Sequence, residues 1–124
     1  MNAAKVTRSF AFAAAGLRLA WRDQPNFRVE VGLAVGALVL CWWTGADVVP
    51  VLAMTGLVLA LELVNSAVEG LVDLVHPERH ALAAAVKDLA AAAVLVAAAA
   101  ALLVGLVVIG PPLVATLTAA MGGG

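Results

Sequence analysis

Leu89–Ile109 is an unbroken run without a charge. At about 20 residues, it has the length at which a helix crosses the roughly 30 Å hydrocarbon layer of a bilayer. Few folds tolerate such a run, and the rest of the chain removes most of them. A soluble domain of 124 residues has a large surface for its volume and must coat it with polar groups. Here seven Lys or Arg and eight Asp or Glu would have to do so, with 65% of the residues hydrophobic and a mean hydropathy of +1.08. An ordinary soluble domain is about 25% charged. The fold class is therefore an all-α integral membrane protein of one domain, residues 1–124. The same composition excludes intrinsic disorder. A net charge of −1 argues against a nucleic-acid partner, which needs a basic face. Cys41 is the single cysteine, so neither an intrachain disulfide nor a cysteine zinc site is available.

Two further apolar stretches precede that run. The first membrane helix is expected over 29–46, closed by Trp42 and Trp43 and the turn Gly45-Ala46-Asp47. Gly32 and Gly36 form a GxxxG match, a weak packing signal in a Gly-rich chain. The second is expected over 48–75, some 28 residues or about 42 Å of helix. One of its ends must project beyond the lipid. His76-Pro77-Glu78-Arg79-His80 breaks it, and the third helix is expected over 81–109. Gly110-Pro111-Pro112 is expected to end that helix, leaving 110–124 as a frayed or interfacial tail. The two His are spaced by four, but the order is not HExxH, so a Pro-induced break with interfacial His is favoured over metal binding.

Residues 1–24 read as a surface helix. On a helical wheel Phe10, Leu17 and Trp21 fall within roughly 40° of one another. Lys5, Arg8, Arg18 and Arg22 gather on the opposite side, although Phe12 and Leu19 also lie there. A basic amphipathic helix on the membrane surface fits this pattern better than a signal peptide, because Arg18 interrupts the apolar run after Phe10–Leu17. The polar break Asp23-Gln24-Pro25-Asn26 is expected to end it. All seven basic residues lie in this helix, just after it, or near the loop between the second and third spans. The positive-inside rule makes that side cytoplasmic, with the N-terminus inside and the C-terminus outside.

The second span carries Glu62, Asn65, Glu69 and Asp73, at spacings of 3, 4 and 4. Glu62, Glu69 and Asp73 lie within roughly 40° on the wheel, and Ser66 shares the face. A carboxylate inside a bilayer costs at least roughly 2.5–3.5 kcal/mol on the insertion scale. Holding a bundle together is one use for the stripe, but an intramembrane acid is by default functional. A span of about 20 residues counted from Val48 puts Glu62 just beneath the cytoplasmic interface and Glu69 just above it. One carboxylate can then meet a membrane-dissolved group while the other meets a water-soluble one. Lys87 and Asp88 add a cation and an anion at the cytoplasmic mouth of the third span. No GxxxxGK[ST], no GxGxxG after a strand and no HRD or DFG is present, which excludes the familiar soluble nucleotide-binding architectures.

These residues resemble a family. Glu62-Leu63-Val64-Asn65-Ser66-Ala67-Val68-Glu69 followed by Asp73 matches the E-[LIM]-x-N-[ST]-A-[IV]-E-x-x-x-D motif of the small bacterial diacylglycerol and undecaprenol kinases. Lys87-Asp88-Leu89-Ala90-Ala91-Ala92-Ala93-Val94-Leu95 is similar to their K-D-x-[AG]-[AS]-[AG]-A-V-L motif. Ala15-Gly16-Leu17-Arg18 and Asn26-Phe27-Arg28-Val29-Glu30 resemble their N-terminal signatures. The resemblance implies a surface helix plus three membrane helices in the bacterial cytoplasmic membrane, a homotrimer, and MgATP-dependent phosphorylation of a lipid hydroxyl. Ala-rich faces in the third span are consistent with close helix approach in an oligomer. By position, Glu62 matches the general base and Asn65 a polar active-site residue beside it, in contact with substrate. Glu69 matches the carboxylate that holds Mg²⁺ against the ATP phosphates. Lys87 and Asp88 match nucleotide contacts, Glu78 and His80 a loop near the nucleotide, and Lys5 or Arg8 a basic phosphate contact. Gln24 stands where the family commonly has a metal-ligating Glu, and Asp23 could substitute if the turn shifts, so the second metal ligand is open. The Ala-rich 87–94 stretch and Pro25-Asn26-Phe27 lean toward undecaprenol, with diacylglycerol the alternative. Two other readings remain at this level. One is a non-enzymatic scaffold or transporter subunit, which would want its acid at mid-membrane. The other is an inactive family member, motivated by Gln24.

Overall fold

The computed structural model describes residues 2–123, which form four helices. Met1 and Gly124, included above in the surface helix and the tail, lie outside the described residues. Helix α1 spans Ala3–Asp23 and begins where the Asn2 side chain accepts a hydrogen bond from the Ala4 N–H at 3.2 Å. Such a cap satisfies one of the free N–H groups of a first turn.

Helix α2 spans Pro25–Thr44 and so starts about one turn earlier than the sequence pattern indicates. Pro25 opens α2 instead of merely closing α1. A proline at the first helical position loses no hydrogen bond, and its ring drives the preceding residue out of the helical region. Gln24 accordingly has φ −114° and ψ 97°. The corner is tied by Arg28, whose Nη1 donates to the carbonyls of Trp21 at 2.7 Å and Arg22 at 3.0 Å. These belong to the last turn of α1, where carbonyls lack helical partners.

Gly45 ends α2 in the left-handed region, φ 73°. Asp47 then caps helix α3, Val48–Val75, by accepting from the Val49 N–H at 3.0 Å. Residues 76–80 connect α3 to α4, and the His80 ring caps α4, its Nδ1 accepting from the Leu82 N–H at 3.1 Å.

Helix α4 spans Ala81–Gly122, 42 residues or about 63 Å, with Pro111 and Pro112 inside it. The expected stop at Gly110 and the separate 110–124 tail are therefore corrected: the helix runs through both prolines. In water a proline in a helix interior costs about 3 kcal/mol. Among lipids, leaving the helix would strand many more backbone groups than the prolines do. Leu113, just past the prolines, packs against the cluster of Cys41, Val51 and Ile109 that joins α2, α3 and α4.

α2, α3 and α4 are each long and apolar enough to cross a membrane. α1 is amphipathic and packs chiefly on α2, while α3 and α4 share the most extensive interface. Large apolar side chains such as Leu33, Val39, Leu102 and Val107 point outward, as lipid-facing residues do.

A β-carbon on Gly45 would meet no atom within 4 Å, so its backbone conformation alone makes glycine the fitting residue. Gly45→Val should lower stability by about 1–2 kcal/mol and Gly45→Asn by less. Thermal unfolding in detergent, followed by circular dichroism, measures both.

Candidate functional site

The α2–α3 hairpin sets the site's depth. Glu62 lies about four turns beyond Val48, the first residue of α3. Glu30 lies about four turns before Thr44, the last residue of α2. The two separations are equal in sequence. With a tight turn between the helices, both residues sit at one level, about 21 Å along their helices. Both place carboxyl atoms in the interior, Oε2 of Glu30 and nearly the whole of Glu62. Glu62 is 3% exposed and Asn65, one turn further, 8%. Ser66 donates its hydroxyl to the Glu62 carbonyl at 3.0 Å, so its side chain is turned back onto its own helix.

Two buried polar atoms here lack a partner, Oε2 of Glu30 and Oδ1 of Asn65. Buried polar groups are ordinarily satisfied, and exceptions need a reason. Glu30 is the residue the sequence reading gave no role. A helix-by-helix wheel does not reveal it. Counting back from the Gly45 turn does, because that count shows which residues of neighbouring helices are level.

An apolar groove of about 400 Å³ opens beside Glu30, between α2, α3 and α4. Ala34, Ala37, Ala98, Ala101 and Gly105 keep it open, and Glu30 is the single charged residue on its wall. A second cavity of about 520 Å³ lies at the loop end, walled by Asp73, His76, Glu78, Arg79, His80 and Lys87 among others. Its wall is far more polar than that of the first. Glu69, half-buried, lies on α3 between the levels of Glu62 and Asp73.

The structure therefore gathers part of the expected set. Lys87, Glu78 and His80 line one cavity. Asp88 follows Lys87 on α4 and is exposed, outside that cavity. Lys5 and Arg8 are exposed on α1. Gln24 is half-buried at the α1–α2 corner and makes no side-chain cap. Asp23 is engaged by Arg22 at 2.6 and 2.9 Å. The hydrogen bond from that guanidinium holds its carboxyl below the usual carboxylate range. Among the described residues, no group of three His, Cys, Asp or Glu could enclose a metal. A hard cation would instead meet an open carboxylate, for which Glu69 is suited because it forms no ion pair with a described residue.

Known proteins share this pattern. The sequence profile of the family described as Prokaryotic diacylglycerol kinase matches residues 11–109. The chain belongs to that family. It is 44% identical over 113 residues to a diacylglycerol kinase of Synechocystis, covering 88% of this chain and 65% of that one. It is 31% identical over 90 residues to the diacylglycerol kinase of Escherichia coli K12, covering 70% and 74%. It is 32% identical over 109 residues to the undecaprenol kinase of Bacillus subtilis, covering 86% and 89%. The chain is accordingly a membrane lipid kinase.

A buried carboxyl oxygen without a partner, in an apolar setting, should oppose folding. Glu30→Gln is expected to raise the thermal midpoint by a few degrees, corresponding to about 1 kcal/mol, while lowering activity. Scanning calorimetry and a lipid-phosphorylation assay on one preparation read both.

Proposed function

We propose that this kinase transfers the γ-phosphoryl group of ATP to the hydroxyl of a membrane lipid at the cytoplasmic interface. The carrying observation is that one helix presents a buried carboxyl, Glu62; about 10 Å further along, the half-buried Glu69; and, one turn beyond that, Asp73 on the wall of a polar cavity. A lipid hydroxyl can reach the first and a water-soluble nucleotide the second.

Glu62 accepts the hydroxyl proton as the oxygen attacks phosphorus. Its buried setting keeps water from competing for that proton. Asn65 orients the hydroxyl, using the Oδ1 that is without a partner in this structure. Lys87 draws the phosphates to the mouth of the cleft and offsets their charge. Glu78 and His80 line the nucleotide's side of the cavity. Asp88 flanks it, and Lys5 or Arg8 supplies a further phosphate contact. A bound Mg²⁺ would supply neutralisation of the phosphate charge. Glu69 would hold it. Mg²⁺ is commonly bound by one or two carboxylates plus the substrate's own phosphates. Gln24 in place of a second Glu is therefore compatible with activity, and Asp23 would have to leave Arg22 to serve.

The distribution of the basic residues supports an N-terminus in the cytoplasm and a C-terminus outside the bacterial cytoplasmic membrane. The polar atoms of Glu30 and Asn65 left without partners, and α1 carrying Lys5 and Arg8 away from the α3–α4 cleft, support completion by other copies in a homotrimer. Undecaprenol is the favoured acceptor, on the Ala-rich 87–94 stretch and Pro25-Asn26-Phe27. Diacylglycerol is the second reading, supported by the name of the 44% identical relative.

Glu62→Gln should lower turnover by about 10²–10⁴-fold while leaving nucleotide binding within a few-fold of the parent. Radiolabel transfer from ATP to each lipid, assayed side by side in vesicles, checks this and ranks the acceptors. Unchanged turnover in Glu62→Gln sinks the base assignment.

A further inference from the structure

In the last turn of α3, Asp73 accepts from the Nζ of Lys87 at 2.5 Å, across the helix interface. It is the one inter-helix ion pair among the described residues. Both partners line the 520 Å³ polar cavity. The motif reading leaves Asp73 without a task.

The alternatives open to Lys87 give it one. Glu69 lies one helical turn deeper on the same stripe, about 6 Å along the axis from Asp73. It offers a carboxylate that forms no ion pair with a described residue. A lysine is a flexible point charge with three rotatable donors and settles on the nearest anion. With Asp73 absent, Glu69 is the next acid on that face of α3. An ammonium on Glu69 would neutralise the carboxylate needed for a divalent cation and withdraw the charge needed for phosphate. Arg79, His76 and His80 also face the cavity, and Glu78 is its other acid, but none of them bonds Lys87 here.

We propose that Asp73 is a positioning residue that holds Lys87 at the outer end of the stripe and so keeps Glu69 free for the metal–nucleotide complex. This rests on the kinase reading, in which Glu69 and Lys87 handle metal and phosphate. The pair suits a holder that must let go. Asp73 is 64% exposed and Lys87 36%, at the water's edge. Exposed pairs of this kind are worth about 1 kcal/mol or less, so polyanionic phosphates can take Lys87 from Asp73 without large expense.

The test measures binding without turnover. Mn²⁺ with a non-hydrolysable ATP analogue is titrated onto the full chain in detergent and read by water-proton relaxation enhancement. Asp73→Asn should weaken binding about three- to tenfold, and Asp73→Glu should stay within about twofold of the parent. In a Lys87→Met background, Asp73→Asn should make almost no further difference, because no ammonium is left to move. Should Asp73→Asn fail to fold, judged by helical circular dichroism, Asp73→Ser takes its place in the same cycle. Parent-like binding in Asp73→Asn, or a loss that persists in the Lys87→Met background, overturns the positioning role and leaves the kinase reading standing. A parent protein that gives no enhancement removes the metal–nucleotide site itself, and this proposal with it.

Discussion

Two carboxyl groups at one depth, on neighbouring helices of a hairpin, organise this molecule. Glu62 and the Oε2 of Glu30 are buried in largely apolar surroundings, where a carboxyl is costly to place. A chain selected only for stability would not keep them. Keeping them demands a rigid frame. Gly45 and Asp47 turn α2 into α3 without slack, so the register is fixed. Arg28 binds the corner at the other end, within a turn of Glu30. The small residues of α4 then help to wall the groove beside Glu30.

The sequence made some of this legible and hid the rest for physical reasons. Both ends of α3 are readable because a capping Asp47 and the His76-Pro77 break mark them. The stripe on α3 is readable because four polar residues in an apolar helix reveal their own period. The prolines mislead because rules learned in water treat Pro as a stop. Pro25 is a start, since only its ring-fixed φ matters at a first position. Pro111 and Pro112 are passed through, since the alternative to helix is worse in lipid. Glu30 is hidden for a different reason. Its meaning is relational, and a periodicity count on one helix contains no information about its neighbour.

The charge distribution follows the same logic. Glu30, Glu62, Glu69 and Asp73 bring four acids to α2 and α3, and among the described residues one cation, Lys87, pairs with the outermost of them, Asp73. The remaining basic residues lie on α1, at its corner with α2, or in the loop. A cleft so short of positive charge is electrostatically incomplete as it stands. On the kinase reading a divalent cation completes it, and arrives with the phosphates that need it. Free ATP, carrying only negative charge, would meet the acids uncompensated. On that reading the acid excess would favour the metal-bound form of the nucleotide, and the basic rim would supply the initial attraction.

Scarcity of charge also explains why so small a chain can carry a site. In a soluble enzyme most charged residues coat the surface, and the functional few must be held apart from them by further layers of fold. Here lipid covers the surface, and exposed Leu and Val do what Lys and Glu do elsewhere. Almost every charge is then free to mark a side of the membrane or to build the cleft. The interface supplies the rest, since it holds a lipid hydroxyl and a soluble nucleotide within one helical span of each other. A single helix, α3, can therefore reach both with carboxylates two turns apart.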